Sequence, residues 1–366
     1  MSQLERGKIS GTQMVYLLVS FAIGSSIIIA PGRGAGHDAW FATIIGALES
    51  MVWVLIFTTL ARRFPDQTIV EIMEVVFGPF LGKALAVCFV WYSFHLCSLV
   101  IGNFTDFFTT VVMPETPCIV FAVSLVLVSA FAVHNGLEVI ARCGLVLLPI
   151  AVFLIISTIF LELNQLDLKN FLPFLETPWP RLLKTAHNIA VFPFGETVIF
   201  GMIFPYLNQP RDGRSRTVLG ILLAAFILTL LYLRSIGVLG ATRSIATYPA
   251  LEAVKLIKVP FLNIRFEIIV IINFLTLGFL KITTLHYSTV LGLAQIFKFR
   301  ALRPLIIPVG ILTVLLSLIN FQGFVENLEF SEVGYPVYAL FFQLVIPLLT
   351  LIVAVIRKLP SRRTGC

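Results

Sequence analysis

The sequence predicts an all-α transmembrane protein of about ten helices. Three observations carry that expectation: 58% of residues are hydrophobic against 12% charged, the mean hydropathy is +0.98, and ten apolar runs recur along the chain. A soluble domain usually carries about a quarter charged residues. It must also cover its surface with polar groups, which a chain of 366 residues with this composition cannot do. Lipid is the solvent that fits, and the 33 phenylalanines suit helix faces that meet it.

A helix crosses hydrocarbon with about 20 residues. Taken in order, the spans are expected at 12–32, 39–61, 84–110, 118–135, 139–161, 184–206, 217–240, 264–290, 304–321 and 335–357, numbered one to ten below. Span eight is expected to run on helically toward Lys298. The first run is read as an uncleaved helix rather than a signal peptide, because no small-residue cleavage site follows it. Segments 249–259 and 68–77 read as short interfacial helices, the former with Leu251, Val254, Leu256 and Ile257 apolar.

The 26 Lys and Arg residues against 19 Asp and Glu, with a pI near 9.3, are distributed by side rather than clustered. Ten spans put both termini on one face. That face carries sixteen of the basic residues and the other eight, with Arg234 and Lys281 inside spans. This bias predicts cytoplasmic termini, and it leaves 162–183 and 241–263 as long external connections. Basic clusters interleaved with aromatics, the mark of nucleic-acid binding, are missing. Five cysteines without a CxxC pair indicate neither a disulfide framework nor a zinc site. HExxH, GxSxG, phosphate loops and metal-spaced clusters are also missing, so neither an enzyme nor a cofactor is expected.

Five spans per half insert with opposite orientation, which permits a five-plus-five inverted repeat over about 10–161 and 184–357. A pair of interrupted helices in corresponding positions points to a binding site in such folds. Span one carries Gly24-Ser25-Ser26 and span six Phe192-Pro193-Phe194-Gly195-Glu196. Proline removes a donor and clashes with the preceding turn. Freed backbone groups in hydrocarbon must line a cavity or meet a ligand. Glu196 would then open a second half-helix, whose dipole favours a carboxylate. Two readings stand for each break: a ligand site, or a plain kink in span six and close helix packing in span one.

Tyr92 and Leu96 share a face of span three, and Thr283 and Tyr287 a face of span eight, with His95, Lys281 and His286 beside them. These groups either bind a small polar solute or satisfy neighbouring helices. Glu49 and Arg234 are buried-charge candidates in spans two and seven. A mid-span charge costs about 2.5–3.5 kcal/mol and each large aliphatic or Phe returns about 0.3–0.6, so both helices still insert. Each charge is expected to face protein or water. The ligand-binding set expected from the residues is Gly24, Ser25, Ser26, Tyr92, Leu96, Phe194, Gly195, Glu196, Thr283 and Tyr287, with no metal ligand.

With these residues in view, the chain resembles the B subunits of spore germination receptors, also called spore germination permeases. The resemblance runs over nearly the whole length. It is carried by Lys8-Ile9-Ser10-Gly11-Thr12-Gln13, the broken first helix, Phe192 through Glu196, Lys281 through Tyr287, Leu291-Gly292-Leu293-Ala294-Gln295 and Arg303-Pro304. It implies the amino acid–polyamine–organocation superfamily fold: ten helices in an inverted repeat, with a central site beside broken helices one and six. It also implies the inner membrane of bacterial spores, an A subunit and a lipoprotein C subunit as partners, and a small germinant, typically an amino acid. An amino acid would lie with its carboxylate toward the span-one break and its side chain toward Phe194, Tyr92 and Tyr287. The rival readings are an active amino-acid permease and a ligand-free membrane scaffold.

Overall fold

The computed structural model describes residues 4–5, 7–257, 265–321 and 323–360. Arg6, Lys258, Arg362 and Arg363 of the charge count, Val259 at the end of the expected external helix, and Cys366 lie outside the described residues. Among those described, seven helices are long and apolar enough to cross a membrane, and two shorter apolar ones, Cys118–His134 and Arg303–Ile319, are spans four and nine. Span six, broken in its middle, is the tenth.

Span one is the α-helix Gly11–Gly24, interrupted at Ser25 and resumed over Ser26–Ile29, after which Ala30 turns left-handed at φ 48°. Its start is set by a capping box, in which the Ser10 hydroxyl accepts from Gln13 N–H while the Gln13 side chain accepts from Ser10 N–H. Ile9 pairs with the end of span six, donating to Tyr206 O at 2.9 Å and accepting from Asn208 N at 2.9 Å. The Lys8-to-Gln13 stretch thus pins one end of span six beside the start of span one.

Spans two, three and five are Ala39–Arg63, Leu81–Phe107 and Leu137–Glu162. Spans seven and eight are Gly213–Leu239 and Glu267–Ile296. Span eight begins a few residues later than expected and runs on past the expected 290. Span ten starts earlier than expected: helix forms from Phe324 and reaches Ile356, with wide turns at Phe330–Gly334 and Phe341–Val345. The interfacial helices form at Ile69–Phe77 and Pro249–Lys255. In the latter segment Leu251, Val254 and Ile257 turn inward, while Leu256 is exposed.

Span eight lies at the centre, packed against spans one, three and five, while span one also meets span seven. Both inner spans are buried around most of their circumference, enclosed by other helices. The close approach of one to the other depends on Gly24: a Cβ there would lie 3.1 Å from Leu277 O and 3.2 Å from Lys281 Cβ. Spans two, four, five and seven carry exposed Leu, Ile, Val and Phe side chains, among them Leu48, Phe131, Phe153 and Phe226, whereas the broken stretch of span six is buried throughout. The molecule is an integral membrane protein.

The two mid-span charges anticipated in spans two and seven find partners. Arg234 sits against Glu162 at 3.2 Å, both side chains nearly fully buried. Glu49 contacts His187 at 2.6 Å in a part-exposed pair. His286 is held between Ser129 Oγ at 3.0 Å and Ile306 O at 3.1 Å, joining spans four, eight and nine.

Candidate functional site

At Phe192 the backbone of span six leaves helical geometry, with φ −127° and ψ 114°, immediately before Pro193. The chain then continues as a tighter 3₁₀ coil from Gly195 to Met202. The interruption frees the carbonyl of Val191, which accepts from the Gln343 side-chain amide at 3.1 Å. Gly195 is required by proximity: a Cβ there would collide with the Gln343 amide oxygen and with the Trp53 ring.

Glu196 follows in the first turn after the break and is 1% exposed. Its Oε2 meets Lys281 Nζ at 2.6 Å, and its Oε1 accepts from Tyr335 OH at 2.6 Å. Lys281 also donates to Ser25 Oγ at 2.8 Å, and Ser25 is the residue at which span one breaks. The ammonium further faces the rings of Phe21 and Phe192, with centroids 5.1 and 5.0 Å away. Tyr335 OH lies 3.1 Å from Tyr92 OH, which in turn accepts from Gln343 Nε2 at 2.7 Å. A continuous polar chain therefore runs from the span-one break through Lys281, Glu196, Tyr335, Tyr92 and Gln343 back to the span-six break.

A buried charge pair is tolerated only when geometry is good and the remaining donors and acceptors are met. Here two ammonium hydrogens have oxygen acceptors and two aromatic faces close on the cation. Both carboxylate oxygens accept a hydrogen bond. Beside this network lies a small cavity of about 30 Å³, lined by Ser25, Leu96, Phe192, Glu196, Asn327 and Tyr335 among others. In this arrangement it has room for one or two waters.

Four of the ten anticipated residues, Ser25, Tyr92, Leu96 and Glu196, meet at the network and its cavity. Gly24 packs on the backbone of span eight instead. Ser26 points to the other side of span one, donating to Ala22 O at 2.8 Å and lining a separate cavity. Phe194 is fully buried, and its carbonyl accepts from Thr197 Oγ1 at 2.6 Å. Thr283 is buried, and among the described residues its hydroxyl has no partner. Tyr287 reaches toward the face that carries the termini, 3.5 Å from Glu5 Oε2.

Lys281, Tyr335, Gln343 and Phe192 belong to the network and were not in the anticipated set. Lys281 carried a signal: a cation inside a span needs a counter-charge, and Glu196 was available. Tyr335 and Gln343 carried little, because the wide turn at Phe341–Val345 is what brings the amide into register.

A family model described as spore germination protein matches residues 8–325. Spore germination protein KB of Bacillus subtilis (strain 168) is 28% identical over 361 residues, covering 97% of this chain and 96% of the relative. Among solved structures, the nucleobase-cation-symport-1 family transporter Mhp1, in a closed conformation with bromovinylhydantoin bound, superposes with a TM-score of 0.67. It is 14% identical, and the match covers 93% of this chain and 78% of that one. A Na+-coupled sialic acid symporter in a substrate-bound outward-open state gives a TM-score of 0.65 at 10% identity, over 95% and 89% of the chains. The ten-span architecture with its interrupted first and sixth helices is thus the transporter fold of those proteins. Matched along most of its length by the family model, the chain belongs to the spore germination permease family.

Proposed function

We propose that the chain is the membrane subunit of a spore germinant receptor, binding a small germinant, an amino acid first among the classes, near the middle of the membrane. One observation carries the reading: the buried Lys281–Glu196 pair ties the break of span one to the break of span six beside a hollow. A carboxylate and an ammonium in that position are the groups that an amino acid's own charges would engage. The hollow is too small for an amino acid as it stands, so the germinant binds a second arrangement in which Lys281 and Tyr335 yield space. Binding shifts the balance by its differential affinity for the two arrangements. The change passes to an A subunit and a lipoprotein C subunit, in the spore inner membrane, with both termini cytoplasmic; nucleic acid has no part in it. Ser25, Tyr92, Leu96 and Glu196 contact the germinant, while Gly24, Ser26, Phe194, Gly195, Thr283 and Tyr287 set the helix geometry around it.

Spores carrying the double variant Glu196→Gln with Lys281→Met in place of the native chain, at a membrane level matched to native by immunoblot and assayed against a germinant panel, are expected to lose the response to one germinant class and keep the others. Unchanged responses across the panel would refute the reading. The likeness to two symporters favours active permeation as the second reading. Saturable uptake of a labelled amino acid into proteoliposomes containing this chain alone would establish it over pure sensing.

A further inference from the structure

On the opposite side of span one from Ser25, a second cavity of about 30 Å³ lies between Ser26 and Ala30, span seven and the start of the helix at Pro249. Tyr232, Ser235 and Arg243 also line it. Arg243 is 4% exposed. Its Nε donates to Ser235 Oγ at 3.1 Å and its Nη1 to Gly36 O at 3.0 Å, while its carbon sits 5.1 Å from the Tyr232 ring centroid. Its Nη2 is buried and has no hydrogen-bond partner among the described residues. Tyr232 OH accepts from Gly32 N–H at 2.9 Å, and among the described residues no acceptor takes its own hydrogen.

The contrast with Arg234 is informative. That guanidinium has Glu162 at 3.2 Å, and its remaining nitrogens reach Thr158 Oγ1 and Ala250 O. For Arg243, no carboxylate among the described residues stands within ion-pair distance. A buried cation without a counter-charge is strongly unfavourable. The cavity also offers unspent donors from both Arg243 and Tyr232. The hydroxyl hydrogens of Ser26 and Ser235 are committed to Ala22 O and Tyr232 O. The site is built to receive an acceptor with negative charge, and its volume suits one small ion.

We infer that this cavity binds a single small monovalent anion of halide size, held by Arg243 and Tyr232. The anion braces the outer half of span one, Ser26–Ile29, against span seven and the connection that follows it. Its occupancy then stabilises one setting of the span-one break, independently of what the other side of that helix binds.

The test uses the full-length chain purified in detergent, unfolded thermally in sodium chloride and in sodium gluconate at matched ionic strength. Chloride is expected to raise Tm saturably by about 2–4 °C, and gluconate to leave it unchanged. Tyr232→Phe is expected to move the half-saturating chloride concentration up by about tenfold, and Arg243→Gln to abolish the dependence. Equal Tm in both salts would overturn the inference, as would an Arg243→Gln protein that keeps the chloride response. Should that variant fail to fold, crystals of the native chain grown with sodium bromide decide it: an anomalous peak between Arg243 and Tyr232 supports the site, and an empty cavity at saturating bromide rejects it.

Discussion

Lys281 is enclosed by Glu196, Ser25 and two phenyl rings, with no exposed surface of its own. Glu196→Gln would leave that ammonium buried without its counter-charge, a change worth about 3–5 kcal/mol. The single variant is therefore expected to unfold well below the native chain, and the double variant Glu196→Gln with Lys281→Met to recover most of the loss. Thermal unfolding of the four proteins in a double-mutant cycle measures the coupling. Gly195 makes a second prediction at this scale. A methyl group there meets the Gln343 amide and the Trp53 ring, so Gly195→Ala is expected to cost about 1–3 kcal/mol through overpacking. Gly102, whose added methyl would meet Ser317 O at an ordinary 3.6 Å within a continuous helix, serves as the control, with Gly102→Ala staying within about 1 kcal/mol of native. Of the residues involved, Glu196 was legible in the sequence as a carboxylate at a proline break. Lys281 was visible only as a charge in need of a partner, since the partner lies 85 positions away.

The starts and interruptions of single helices follow local chemistry. The Ser10–Gln13 capping box and the pairing of Ile9 with the end of span six hold the N-terminal stretch in place. Ser10→Ala removes one of the two reciprocal bonds and is expected to cost about 0.5–2 kcal/mol. Faster amide exchange over the first turn of span one, with little change in span eight, would localise the effect. The break in span six was readable because Pro193 lacks a donor and Gly195 follows it. The break in span one is shorter, a single residue at Ser25, where small side chains mark close packing as readily as a site. The wide turns of span ten had no such mark at Phe341–Val345. Turns of this kind arise from the pull of tertiary partners and gather at functional positions, and here the turn delivers Gln343 to both Tyr92 and Val191.

At the scale of the whole molecule, the cavity beside Glu196 holds about 30 Å³, and Tyr335 and Phe330 line it. To move such a protein from one arrangement at 99:1 to the other, a ligand must bind the favoured form about 10⁴-fold more tightly. A buried ion pair between span eight and the break of span six, hydrogen-bonded to the break of span one, is the kind of contact that two arrangements can make differently. Orientation is testable at the same scale. Glu176 and Arg211 are both exposed and lie on opposite faces. In a cysteine-free background, Glu176→Cys is expected to react with a membrane-impermeant maleimide in intact cells expressing the chain. Arg211→Cys should react only after permeabilisation, and the reverse pattern would invert the topology.

The sequence by itself determined the solvent, the number of spans, their approximate ends and the break at Pro193, because each depends on hydropathy or backbone chemistry within a few residues. The tertiary structure alone decided which polar groups meet. Helices buried on all sides present no single lipid-facing stripe that would fix their rotation, so the facing of spans one and eight is set by close approaches such as Gly24 on Leu277. Only that rotation brings Ser25, Lys281, Glu196 and Tyr335, which are scattered over more than three hundred positions, within hydrogen-bond reach.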